Sequence, residues 1–227
     1  MKQNTTSTTM ATTTDPQVLF IPGPVQVDGE FREIMSRPLV SHRSPGFMAE
    51  VKAVCSKLKD LFLTSGTALF ENAPATALME AAVRNLVGDH ILHLTCGAFS
   101  ERWEKISQSC GRTPDSIPQG WGHACEPATL RKKLRDADQP YEAVAITHNE
   151  TSTGVINPLQ ELAAVVHEES PDTLVLVDAV TSVAGAELRF DDWGLDLAFA
   201  GTQKCLALPP GLCVYAVSDR ALERAKS

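Results

Sequence analysis

Lys204 stands within Asp196–Gly211, DLAFAGTQKCLALPPG, just past the apolar run Leu197–Ala200, which has strand character. An amine desolvated beside a buried strand is left as a neutral nucleophile, the form that Schiff-base chemistry needs. Asp178 follows a second apolar run, Thr173–Val177, and the polar stretch His148–Gly154 (HNETSTG) follows a third, Ala143–Thr147. Phe99 comes just after another strand, His90–Thr95, and small residues around Thr76 lead into the helical stretch Leu78–Val87. A helix start of that kind leaves backbone N–H groups open to an anion. Taken singly, each feature has a plainer reading: Lys204 as a solvated turn lysine, Asp178 as a turn or N-cap residue, the stretch near Thr76 as ordinary capping. Taken together they fit a flat, phosphorylated pyridine aldehyde. The lysine condenses with the aldehyde, the carboxylate pairs with the pyridinium nitrogen, and the helix start receives the phosphate.

Bringing these residues together requires a sheet. After Leu78–Val87, strands and helices alternate: strands at His90–Thr95, Ser116–Ile117, Ala143–Thr147, Thr173–Val177, Leu197–Ala200 and Leu212–Val217, and helices at Phe99–Cys110, Pro127–Arg135, Leu159–Glu168 and Arg220–Ala225. Buried β-branched runs separated by amphipathic helices predict a three-layer α/β/α architecture with a mostly parallel central sheet. In such sheets ligands collect at the carboxyl ends of the strands, where Lys204, Asp178 and the 148–154 segment fall. Upstream, Met48–Leu61 has helical spacing, and Leu61–Thr64 reads as a short strand or as the end of that helix. Pro22-Gly23-Pro24 predicts a rigid extended loop. Residues 1–16 are rich in Thr and Ser and are expected to form a disordered tail ahead of one large domain over 17–227.

The 227 residues are 43% apolar and 21% charged with a net charge of −8, the composition of a globular domain without an electrostatic footprint for nucleic acid or anionic membrane. No apolar run approaches the roughly 20 residues of a membrane span, and no secretory leader pattern opens the chain. Six cysteines are present, Cys205 among them beside Lys204. None forms CxxC or stands at zinc-ligand spacing with the histidines, so no metal site is expected and the thiols read as those of a cytoplasmic protein.

Three stretches carry a resemblance: VDAVTSVAG (177–185), DWGLDLAFAGTQKCLALPPGL (192–212) and THNETSTGVINPL (147–159). With the early PGP, the SHRSP segment and Gly97–Trp103, they resemble the class V aminotransferases, fold-type I enzymes dependent on pyridoxal 5′-phosphate (PLP), and within them the alanine–glyoxylate and serine–pyruvate branch. The resemblance implies that Lys204 carries the cofactor as an aldimine and that Asp178 keeps the ring nitrogen protonated. It further implies that Phe99 stacks on one ring face, Val180 lies against the other, Thr151 lies near the ring 3-oxygen, and Ala75, Thr76 and Gln203 bind the phosphate. Pro74 departs from the tighter Ser/Gly pattern usual at 73–77 and removes one N–H donor there.

The implied reaction moves an amino group from a small amino acid (serine or alanine) to a 2-oxo acid (glyoxylate or pyruvate), in a protein expected to be a homodimer when full length. A PLP-dependent lyase of the same fold, akin to a cysteine desulfurase, and a truncated, non-catalytic PLP-fold protein are the alternatives. Family members usually continue into a small C-terminal domain that carries an arginine for the substrate carboxylate. That domain is expected to be missing here, and a fragment of a normal enzyme is the favoured reading.

Overall fold

The computed structural model describes residues 18–226, so the Thr/Ser-rich stretch at 1–16 lies outside the described residues. Two helices come first, α1 (Gly29–Met35) and α2 (Pro45–Phe62). Ser44 starts α2, its Oγ accepting from the Phe47 amide at 3.2 Å, and Pro45 occupies the first turn, where its missing N–H costs nothing. Leu63 adopts a left-handed conformation (φ 54°) at the C-cap, so Leu61–Thr64 is the end of this helix and not a strand.

The chain then alternates: β1 (Thr67–Glu71), α3 (Ala75–Leu86), β2 (His90–Thr95), α4 (Ala98–Ser109), β3 (Thr113–Pro118), α5 (Pro127–Arg135), β4 (Ala143–Thr147), the short β5 (Asn149–Glu150) and β6 (Val155–Ile156), α6 (Leu159–Glu169), β7 (Leu174–Asp178), β8 (Leu197–Gly201), β9 (Cys213–Val217) and α7 (Asp219–Arg224). Seven strands form one sheet in the order β1-β9-β8-β7-β4-β2-β3. The pairs from β3 through β8 are parallel, whereas β9 runs antiparallel to both β8 and β1. The sheet is thus mostly parallel, as the sequence predicts, with its antiparallel pairs gathered at the side of β9 and β1.

Alternation along the central strands divides their side chains between two cores. Val144, Ile146, Val175 and Val177 pack with Leu58 and Phe62 of α2, Leu130 of α5 and Leu162 of α6. Ala145, Leu176 and Phe199 pack on the opposite face with Met79 and Val83 of α3, Trp103 of α4 and Ala221 of α7. β4, β7 and β8 are buried along their whole length, which explains their unbroken apolar sequences. Among the described residues no helix is long and apolar enough to cross a membrane.

Candidate active site

Asp178 is the last residue of β7, at the carboxyl end of the parallel sheet, and is 3% exposed. Its Oδ1 accepts from the Val180 amide at 3.0 Å. Burial pushes its carboxyl up to about 7; the nearby Glu150 charge adds to the rise, while the Val180 N–H, Arg102 and Lys204 work against it. An acid so desolvated calls for a cationic partner, and the pyridinium nitrogen of PLP is one of suitable chemistry.

Lys204 lies in the loop between β8 and β9. It is half-buried, and its Nζ donates to the Pro22 carbonyl at 3.1 Å. The enclosed apolar setting expected for it is therefore only partly present, because the loop of 22–24 supplies a polar acceptor. Gly23 has φ +135°, and a Cβ there would stand 2.7 Å from both Cδ and Nζ of Lys204. The Val25 amide donates to the Gln203 carbonyl at 3.1 Å, tying the same loop to the lysine segment.

One cavity of about 180 Å3 gathers Ala75, Thr76, Phe99, Thr151, Asp178, Val180, Gln203 and Lys204, with Arg102, Asn149 and Thr181 also on its wall. Ala75 and Thr76 open α3 behind Pro74, which has no side chain able to cap, so the helix start meets the cavity without a capping acceptor from its own N-cap. Thr151 Oγ1 lies 3.1 Å from Thr181 Oγ1, which also accepts from Asn149 Nδ2 at 2.8 Å. The Arg102 guanidinium carbon sits 4.8 Å from the centre of the Phe99 ring. A larger open groove, about 780 Å3, follows β3 between Asp115, Lys133 and Tyr141, and none of the sequence-selected residues reaches it. Cys205 is exposed and does not line the cavity.

Sequence reading gave no role to Gly23, Arg102, Glu150 or Thr181. All four were inside the resembling stretches, but the partners of Gly23, Glu150 and Thr181 lie in other segments. Arg102 could have been found from its spacing, one helical turn after Phe99.

The family model Aminotransferase class-V matches residues 49–227. The chain belongs to the class-V aminotransferases. This class-V chain is 34% identical over 213 residues to the serine–glyoxylate aminotransferase of Arabidopsis thaliana, covering 92% of this chain and 53% of that protein. It is 32% identical over 215 residues to the L-aspartate–glyoxylate aminotransferase of Paracoccus denitrificans, covering 92% and 54%. Among solved structures, the alanine–glyoxylate aminotransferase of Nostoc sp. superposes with a TM-score of 0.88 at 30% identity, covering 100% of this chain and 60% of that one. The fold is that of the fold-type I PLP-dependent aminotransferases. The chain spans about half the length of the curated relatives it matches.

Proposed function

We propose that this protein is a PLP-dependent aminotransferase that moves an amino group from a small amino acid, serine or alanine, to a 2-oxo acid such as glyoxylate or pyruvate. The observation that carries the reading is the meeting of Lys204, from the loop after β8, and Asp178, from the end of β7, in a cavity whose wall also holds Phe99, Val180 and an uncapped helix start. The names of the relatives, which act with glyoxylate, support the acceptor class.

When bound, PLP supplies an electron sink for charge developing at a substrate Cα. Asp178 would hold a proton on the ring nitrogen, the buried acid gaining a cationic partner in direct contact. Lys204 Nζ would hold the cofactor covalently and move a proton at the substrate Cα. Phe99 and Val180 would bracket the ring, and Thr151 would meet its 3-oxygen. Ala75 and Thr76 backbone N–H groups, with Gln203, would bind the phosphate.

A homodimer belongs to the same proposal. Phe20, Met35, Leu39 and Val40 lie exposed on the N-terminal segment, and α1 buries none of its residues, a surface of the kind that a second copy covers. Light scattering on the purified protein tests this, and a monomer at micromolar concentration would remove it.

The activity is tested by borohydride reduction of the PLP-loaded protein, peptide mapping, and half-reactions with serine, alanine and cysteine. Label on the peptide bearing Lys204 and amino-group uptake from serine or alanine are expected. Label on another lysine would overturn the assignment. Sulfur release from cysteine in place of transamination would favour a lyase.

A further inference from the structure

Helix α4, which carries Phe99, has Gly97 as its N-cap, a residue with no side chain to accept from the first-turn amides; Ser100 Oγ accepts only from the Cys96 and Gly97 amides that precede the helix, at 2.9 and 3.1 Å. The acceptors for the Ala98, Phe99 and Ser100 amides come from the segment after β4. Ser152 Oγ accepts from the Ala98 amide at 3.0 Å, and Glu150 Oε2 accepts from the Ser100 amide at 3.0 Å. The Phe99 amide is shared between the two Glu150 oxygens at 3.3 and 3.2 Å. Glu150 Oε1 also accepts from the Ser152 amide at 3.2 Å and the Ser152 hydroxyl at 2.7 Å, folding its own loop around the carboxylate. Glu150 is fully buried. A Cβ on Gly97 would stand 2.5 Å from Ser152 Oγ and 2.6 Å from Glu150 Cγ, so the helix start and the loop are in direct contact.

We propose that Glu150 is a positioning residue: its carboxylate joins the start of α4 to the loop after β4 and so fixes Phe99 and Thr151 relative to each other across the cavity. The proposal rests on the PLP reading for what Phe99 and Thr151 then hold, but its geometry does not.

The charge suits the place. Burial works against an ionised Glu150, but the Ser100, Ser152 and Phe99 amides and the Ser152 hydroxyl outweigh it and hold the carboxyl below its ordinary range. A carboxylate at a helix start also meets the positive end of the helix dipole. Oε1 serves both sides of the junction, and Oε2 serves α4 through the Phe99 and Ser100 amides and the Ser100 hydroxyl at 3.0 Å, so no neutral group replaces the carboxylate. In Glu150→Gln, one oxygen still accepts from α4, but the NH2 group then faces the Ser152 amide as donor against donor. Displacements of about 1 Å at a ring-holding residue are enough to change cofactor or substrate placement.

The test uses Glu150→Gln and Glu150→Ala, with amide hydrogen exchange on the apoprotein and PLP titration on the same samples. In Glu150→Ala, protection of the Phe99, Ser100 and Ser152 amides is expected to fall at least tenfold, while β4 and β7 amides keep theirs. In Glu150→Gln, the loss should centre on Ser152, with partial rescue at Phe99 and Ser100. PLP affinity is expected to fall about tenfold in Glu150→Ala and less in Glu150→Gln. Unchanged exchange at Phe99 and Ser100, or equal loosening throughout β4 and β7, would overturn the proposal. So would loosening at the junction with unaltered PLP affinity. If the wild-type protein takes up no PLP, the PLP reading fails and the exchange pattern alone decides whether Glu150 organises the junction.

Discussion

Gly23 lies directly on Lys204: the space that a Cβ would fill at residue 23 is within 2.7 Å of the lysine Nζ. The N-terminal loop thereby sets where the amine can stand, and only a residue without a side chain permits this approach at φ +135°.

Gly23→Ala should displace the amine and strain the loop. The backbone penalty is about 1–3 kcal/mol for a non-glycine residue held in such a region. Borohydride-trapped PLP at Lys204 should fall severalfold, with a lower melting temperature. Trapping at the wild-type level would mean that the lysine finds another route to the cofactor.

Asp178 gives the apoprotein a pH signature. Its carboxyl, ordinarily near 3.8, is raised to about 7 in the folded protein, so the folded state binds the extra proton between those values. Stability from this group is therefore present at low pH and is lost as pH rises toward 7. Relative to Asp178→Asn, the wild-type apoprotein should lose about 2–3 kcal/mol between pH 5 and pH 8. Urea denaturation at the two pH values measures the difference, and parallel profiles would contradict the assignment. Saturating PLP should reduce the loss by supplying a cation.

His93 acts with the opposite sign. It is buried against Trp103 and shares a 2.9 Å contact with Ser107 Oγ, and burial pushes its imidazole down to about 3. The unfolded chain binds this proton below about 6.5 and the folded chain does not, so stability falls as pH drops through that window. His148, pushed down to about 4 by burial, adds a second contribution of the same kind. The acid-side loss should be about 1.4 kcal/mol per pH unit for each histidine, and a His93→Gln variant should show a shallower slope. An unchanged slope would place the acid sensitivity elsewhere.

Trp103 joins the two helices that border the cavity. It is 1% exposed, its Nε1 donates to the Met79 carbonyl of α3 at 3.1 Å, and its ring meets Phe199 edge-on at 5.4 Å. Trp103→Ala should destabilise the fold by about 3–5 kcal/mol, and Trp103→Phe by less, the hydrogen bond being the main loss. Chemical denaturation of the three proteins tests the ranking.

The sequence displayed the buried parallel strands most clearly. Ala143–Thr147 is an apolar run closed on both faces, His90–Thr95 is a buried strand built on Ile91, Leu92 and Leu94, and the bounds of both agree with the sequence reading. β1 passed unnoticed because TALFE is short, half-exposed and paired antiparallel with β9 from the far part of the chain, so no local pattern announced it. α1 has no buried residue and hence no apolar stripe to read. Lys204, Asp178, Phe99 and the stretch near Thr76 were visible because each follows a strand or opens a helix, whereas Ala75, Val180 and Gln203 came from the family resemblance alone. Gly23 and Glu150 were not, because what makes them important is a contact with segments remote in sequence.

The antiparallel course of β9 has a consequence for how the protein assembles. β8, the Lys204 loop and β9 form a hairpin, a pairing local in sequence with a small loop-closure cost. Thr202 Oγ1, donating to the Pro209 carbonyl at 2.7 Å, closes that loop from within. The Pro22 carbonyl reaches Lys204 across 182 residues of chain. The lysine's immediate scaffold can therefore form early, while the loop that restrains its amine must arrive by long-range closure. During refolding, capture of an aldehyde at Lys204 would then lag behind formation of the β8–β9 hairpin and report when the loop at 22–24 docks.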